Sequence, residues 1–164
     1  MNFPGGFRRG ISFMLDILFT LLLFLIAFID LRTQRIPDFL TVVLYVLGVL
    51  SLFFSPQVFS QLLGGGILFA FFLFLYLAKP DGVGFGDVKL AGALGLFLGW
   101  KLGLLSLFLA FTSGGVVGAF LLLLKKKTLK DPLPFGPFLS GGAVVALLFG
   151  ERILGWYMNL FSVP

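Results

Sequence analysis

Long apolar runs separated by short polar breaks organise this chain. The first run, Ile11 to Ile29, is interrupted only by Asp16 and closes in Asp30-Leu31-Arg32-Thr33-Gln34-Arg35-Ile36-Pro37-Asp38. It is longer than the apolar region of a signal peptide and lacks a small-residue cleavage site, so it reads as a membrane helix. Phe39 to Phe54 forms a second run ended by Pro56, and a third extends from about Gln61 to Ala78. After the loop from Lys79 to Gly86, the stretch from Val88 to Leu124 carries no charge but Lys89 at its start and Lys101. That is too long for one crossing of about 30 Å of hydrocarbon and enough for two short ones. Gly99-Trp100-Lys101, a turn with an aromatic interface anchor, divides it. A final run begins at Pro137 and reaches Gly150. The pattern predicts an all-α, polytopic membrane protein of six transmembrane helices, over 11–29, 39–54, 61–78, 88–99, 102–124 and 137–150. All lie in one domain covering 1–164, with an interfacial helix over 153–161 marked by Trp156 and Tyr157.

Composition agrees with that pattern. The 164 residues are 59% hydrophobic with 23 phenylalanines and a mean hydropathy of +1.12, well above a soluble domain's roughly 45–50% apolar content. Small residues punctuate the runs: Gly64-Gly65-Gly66 in the third, Gly92, Gly95 and Gly99 in the fourth, and Gly114 and Gly118 in the fifth. These are helix-packing devices in a membrane. The net charge of +5 does not form a basic stripe interleaved with aromatics, so nucleic acid is not an expected partner. It records topology instead. With six spans, loops one, three and five carry Arg32, Arg35, Lys79, Lys89, Lys125, Lys126, Lys127 and Lys130, against Arg8, Arg9, Lys101 and Arg152 on the other side. The first face is expected to be cytoplasmic, and the Lys125–Lys130 cluster to meet anionic lipid.

The chain has no cysteine and no histidine, which removes disulfides, thiolate zinc sites and the usual general base. No metal or other cofactor is expected, and acid–base chemistry falls to the carboxylates. Asp87, in Gly84-Phe85-Gly86-Asp87-Val88-Lys89-Leu90, lies between apolar runs where a charge costs about 2.5–3.5 kcal/mol at a helix centre. It is either a reactive acid or an N-cap for a helix opening at Val88. Asp38 follows Pro37 and reads first as a helix N-cap. Asp30 ends the first helix, where the macrodipole disfavours an anion. It is either paired with Arg32 or Arg35 or put to use. Asp16, near the start of that helix, has an interfacial position as its plain explanation. Topology gathers Asp30, Asp87 and the Pro134-Phe135-Gly136-Pro137 turn on one face. Two carboxylates brought together there would share a proton, so that one deprotonates water while the other hydrogen-bonds the scissile carbonyl. On helix-dipole grounds Asp87, opening a helix, is the base-like member and Asp30, closing one, the acid-like member. Lys89 is left for lipid phosphate or substrate charge.

Three ordered segments, Asp30-x-Arg32-x-x-x-Ile36-Pro37-Asp38, Gly84-x-Gly86-Asp87-x-Lys89-Leu90 and Pro134-Phe135-Gly136-Pro137-Phe138-Leu139, resemble the type IV prepilin peptidase family of G-x-G-D intramembrane aspartyl proteases. The resemblance implies a multi-pass inner-membrane hydrolase acting at the cytoplasmic face. Its substrates would be the short basic leaders of type IV prepilins or type II secretion pseudopilins, cut after a glycine. By motif, the catalytic pair falls on Asp30 and Asp87. Gly84, Gly86, Lys89, Asp38, Pro134 and Gly136 fall to substrate binding or support. Long members also N-methylate the new terminus and carry paired C-x-x-C motifs. With no cysteine here, a peptidase-only short form or core fragment is expected. Two other readings compete: a proton-coupled transporter, which would show inverted repeats and mid-membrane acids, and an inactive pilin-binding relative.

Overall fold

The computed structural model describes residues 5–79, 82–125 and 134–161, with side chains described from 10 to 160 within those stretches. Arg8 and Arg9 as side chains, Asp81, and the basic segment from Lys126 to Asp131 lie outside the described residues. Five helices follow in order, with no strand among the described residues: α1 Gly5–Thr33, α2 Asp38–Phe54, α3 Val58–Ala78, α4 Phe85–Leu123 and α5 Gly136–Phe161. Four contain stretches long and apolar enough to cross a membrane, Gly10–Thr33, Val58–Ala78, Phe85–Leu123 and Gly136–Leu160, and α2 is a shorter apolar helix. Their outer faces are apolar too. Phe24 is 62% exposed, Phe74 68% and Leu123 81%, an arrangement stable against lipid and not against water.

In α1 the buried positions are Leu15, Phe19, Leu23, Ile26 and Asp30, steps of three or four residues that place them on one helical face. Asp30 thus continues the core stripe. The helix stops three residues later, where Gln34 takes a positive φ of 52° and its N–H bonds the Asp30 carbonyl at 2.8 Å, a left-handed helix end. Pro37 and then Asp38 open α2.

At the centre of the bundle, α4 contacts α2, α3 and α5. It is not one straight rod. Gly99 sits at φ 79°, ψ 172°, backbone that glycine adopts without steric cost, and the chain folds back there. A side-chain carbon built on Gly103 would lie 3.6 Å from the Gly95 Cα, whereas a continuous helix holds residues eight apart at about 12 Å along its axis. The arms 85–98 and 100–123 therefore pack as a hairpin against α3. Contact is closest where Gly64 and Gly95 bring their backbones together, since a carbon added to Gly64 would stand 2.5 Å from the Gly95 carbonyl oxygen.

Beyond the longer α1 and the earlier start of α3, two helix limits change a reading made from the sequence. The interfacial helix over 153–161 is not separate, because α5 continues unbroken to Phe161. Glu151 and Arg152 are exposed along it, so their charges give the backbone no reason to turn. The helix carrying Asp87 opens at Phe85 with Gly84 as its N-cap, which places the acid in the first turn rather than at the cap.

Candidate active site

Three helix ends meet at one end of the bundle: the last turn of α1, the first turn of α4 and the first turn of α5. Asp30, 4% exposed, turns its carboxylate onto the start of α5, where the Gly136 N–H donates to Oδ2 at 3.0 Å across 106 positions of sequence. The first N–H groups of a helix have no partner within it, and Asp30 supplies one. Among the described residues no ion pair joins Asp30 to Arg32 or Arg35, and the Arg32 guanidinium lies over the Phe28 ring at 5.0 Å. The pairing that would have made Asp30 an ordinary surface acid is absent.

Gly136 must be small to make this contact. A carbon added to it would stand 2.6 Å from Asp30 Oδ2. Phe135 anchors the turn, its ring 5.0 Å from Phe111 and 6.1 Å from Phe72, while Gly114 leaves space beneath it. We predict that Gly136→Ala folds, because the obstructed atom ends a side chain that can rotate. Any reaction that needs the Asp30 carboxylate in place should slow about 10²-fold, the scale of a 1 Å misplacement of a reacting group. A melting temperature and a rate on one preparation check both halves.

Asp87 is held by its own helix. Its Oδ2 accepts the Gly84 N–H at 3.3 Å, and its backbone N–H bonds the Gly84 carbonyl at 3.0 Å. This is the reach-back half of a capping arrangement, so the cap and the candidate reactive acid are one residue. Asp87 also lies within electrostatic reach of Asp30. The helix-dipole contrast drawn from sequence does not survive: each carboxylate faces the N-terminus of a helix, Asp87 that of α4 and Asp30 that of α5, so the dipoles do not separate an acid from a base.

The remaining sequence candidates divide. Gly86 packs on Ile36, whose Cβ would be 3.1 Å from an added carbon, and this joins α4 to the α1–α2 loop. Lys89 Nζ pairs with Asp38 Oδ1 at 2.8 Å. That corrects two expectations, since Asp38 makes no side-chain cap on α2 and the Lys89 charge is met within the protein. Asp38 lies inside the first turn, past the cap position held by Pro37, and its carboxylate is free to reach across to α4. Both groups are solvent-accessible, so Lys89→Met should cost at most about 1 kcal/mol of stability, measured as a shift in unfolding midpoint. Pro134 is half-buried ahead of Phe135, and no polar contact of its own defines a role. Sequence reasoning missed Ile36 as a packing partner, Phe135 as the anchor of the turn and Tyr76, whose ring is 5.5 Å from Phe85. Only the apolar character of these positions could have suggested them. No cluster of three or more metal-ligating side chains occurs among the described residues.

An all-helical, multi-pass membrane protein with two interacting aspartates at one end of its bundle is the class that fold and site define. Residues 17–119, which include both acids, match the type IV leader peptidase family, and the chain belongs to that family. It is 34% identical to a prepilin leader peptidase/N-methyltransferase of Aeromonas hydrophila, over 88% of this chain and 52% of that protein. To the Bacillus subtilis (strain 168) protein of the same name it is 30% identical, over 95% of this chain and 64% of the relative, and to that of Legionella pneumophila 33%, over 90% and 55%. The chain thus spans about half to two thirds of the length of these relatives. No solved structure matches it.

Proposed function

We propose that this chain is an aspartyl endopeptidase of the inner membrane that removes the short basic leader from prepilin-like or pseudopilin-like substrates, cutting after a glycine at the cytoplasmic face. The observation that carries this reading is the meeting of Asp30 and Asp87. They come from different helices, each is fixed by one backbone N–H, and they lie close enough to feel one another's charge. With one proton between them, the ionised carboxylate takes a proton from water as the water oxygen attacks the scissile carbonyl carbon. The protonated partner hydrogen-bonds the carbonyl oxygen. Collapse of the tetrahedral intermediate breaks the C–N bond, and a proton from the pair passes to the leaving nitrogen. Backbone hydrogen bonds leave each carboxylate with further lone pairs for water and substrate.

The fold-back at Gly99 supports reading the two arms of α4 as separate crossings, which with α1, α2, α3 and α5 makes six. Two crossings, α2 and α3, then separate the last turn of α1 from the first turn of α4, and the two arms of α4 separate that turn from the first turn of α5, so all three lie on one membrane face. The excess of Lys and Arg in loops one, three and five supports making that face cytoplasmic. Nothing in the 164 residues is assigned to the N-methyl transfer that the relatives' names also include.

The test is cleavage, by purified protein in detergent, of a peptide with a basic leader, a glycine and an apolar helix, with the cut mapped by mass spectrometry. A single cut after the glycine supports the substrate class. Cutting elsewhere, or equal cutting of a peptide with the glycine replaced by leucine, refutes it.

A further inference from the structure

Asp87 lies in the first turn of α4, where backbone N–H groups lack partners within the helix and helix ends fray. The residues around it are tied to three other parts of the bundle. Phe85 lays its ring 5.5 Å from that of Tyr76 on α3. Gly86 packs on Ile36 of the α1–α2 loop, whose Cβ would stand 3.1 Å from a carbon added to the glycine. Lys89 Nζ pairs with Asp38 Oδ1 on α2 at 2.8 Å and also lies over the Phe85 ring at 5.1 Å. Phe85 and Lys89, four residues apart, share one face of the helix, whereas Asp87, two residues from each, projects from the other. The back of the first turn is therefore held against α2 and α3 while its front carries the carboxylate that interacts with Asp30. Asp38 follows Asp30 across the loop that contains Ile36, so the ion pair joins the segment bearing one acid to the turn bearing the other.

Val88 and Leu90 are fully buried just beyond, but apolar burial is non-directional. An ion pair has a fixed partner and resists rotation about the helix axis. At the radius of about 5–6 Å that a helix has with its side chains, a rotation of about 10° moves a carboxylate by about 1 Å, a misplacement able to cost about 10²-fold in rate. We propose that Lys89 and Asp38 are positioning residues for Asp87: their ion pair sets the rotation of the first turn of α4 and so the approach of Asp87 to Asp30. For cleavage this rests on the peptidase reading above, and for the meeting of the two aspartates it does not.

The test uses the absence of cysteine from the chain. In Asp30→Cys/Asp87→Cys, the rate of disulfide formation under mild oxidant reports how often the two positions meet, with no cleavage required. Adding Lys89→Met or Asp38→Asn should slow that rate about 3- to 5-fold, the upper range of what an exposed ion pair contributes to an aligned population, with little change in melting temperature. Lys89→Arg, and the charge exchange Lys89→Asp/Asp38→Lys, should restore most of it. The two single variants break the pair from opposite sides, so if one fails to fold the other decides. A rate unchanged by breaking the pair overturns the proposal, as does a charge exchange that crosslinks no faster than the single variants. With both aspartates in place, Lys89→Met and Asp38→Asn should lower kcat for the prepilin-like peptide about 3- to 5-fold and leave KM unchanged. A raised KM at the parent kcat would make the pair a substrate contact and overturn the positioning role. Crosslinking that depends on the pair, in a parent chain that cuts no peptide, would remove the peptidase reading and leave the positioning of Asp87 standing.

Discussion

Asp30→Asn and Asp87→Asn should each cut the prepilin-like peptide roughly 10²–10⁴-fold more slowly than the parent, the range expected when a positioned acid or base is lost. Both should remain folded. The asparagine amide oxygen can still accept the Gly136 N–H in place of Asp30 Oδ2, or the Gly84 N–H in place of Asp87 Oδ2, so the helix ends keep their partners while the exchangeable proton is gone. If the pair works as a unit, as proposed, the double variant should be scarcely slower than either single one. Steady-state rates and melting temperatures for the four proteins check this. Either single variant cutting at the parent rate would remove that residue from the proposed dyad. Losses that multiply in the double variant would mean two independent contributions instead of a shared proton.

Much of this site was legible because its parts are local. The step from Ile26 to Asp30 continues the spacing of Leu15, Phe19, Leu23 and Ile26, so helical periodicity alone turns Asp30 toward the core. Asp87 could be placed at a helix start because glycines precede it and an apolar run follows. What stayed hidden was every partner set by tertiary packing. Gly136 reaches Asp30 only because Phe135 is seated among Phe72 and Phe111, on α3 and the second arm of α4. Lys89 meets Asp38 because α2 lies beside α4, and a reading confined to neighbours in sequence gave that aspartate a cap and that lysine a lipid. The dipole argument failed for the same reason. It placed Asp30 correctly at the end of its own helix and could not see the start of another helix facing it.

Gly95→Ala should lower thermal stability in detergent by several degrees, while Gly66→Ala, just over half a turn past Gly64 on the same stretch of α3, leaves it unchanged or slightly raised. An added carbon at Gly95 meets the Gly64 carbonyl group itself, with the Gly65 nitrogen 2.9 Å away. These are backbone atoms of another helix, which no rotamer change moves aside. α3 and the first arm of α4 must separate, and such overpacking costs about 1–3 kcal/mol. At Gly66 nothing lies within 4 Å, so alanine there meets no obstacle and gains up to about 1 kcal/mol in helix propensity. The comparison reaches the site as well. The arm displaced by Gly95→Ala is the one that begins at Phe85 and carries Asp87, so loss of stability should be accompanied by loss of cleavage, whereas Gly66→Ala retains the parent rate. Were Gly95→Ala as stable as the parent, the close backbone approach of α3 and α4, and with it the placement of Asp87 opposite Asp30, would be wrong.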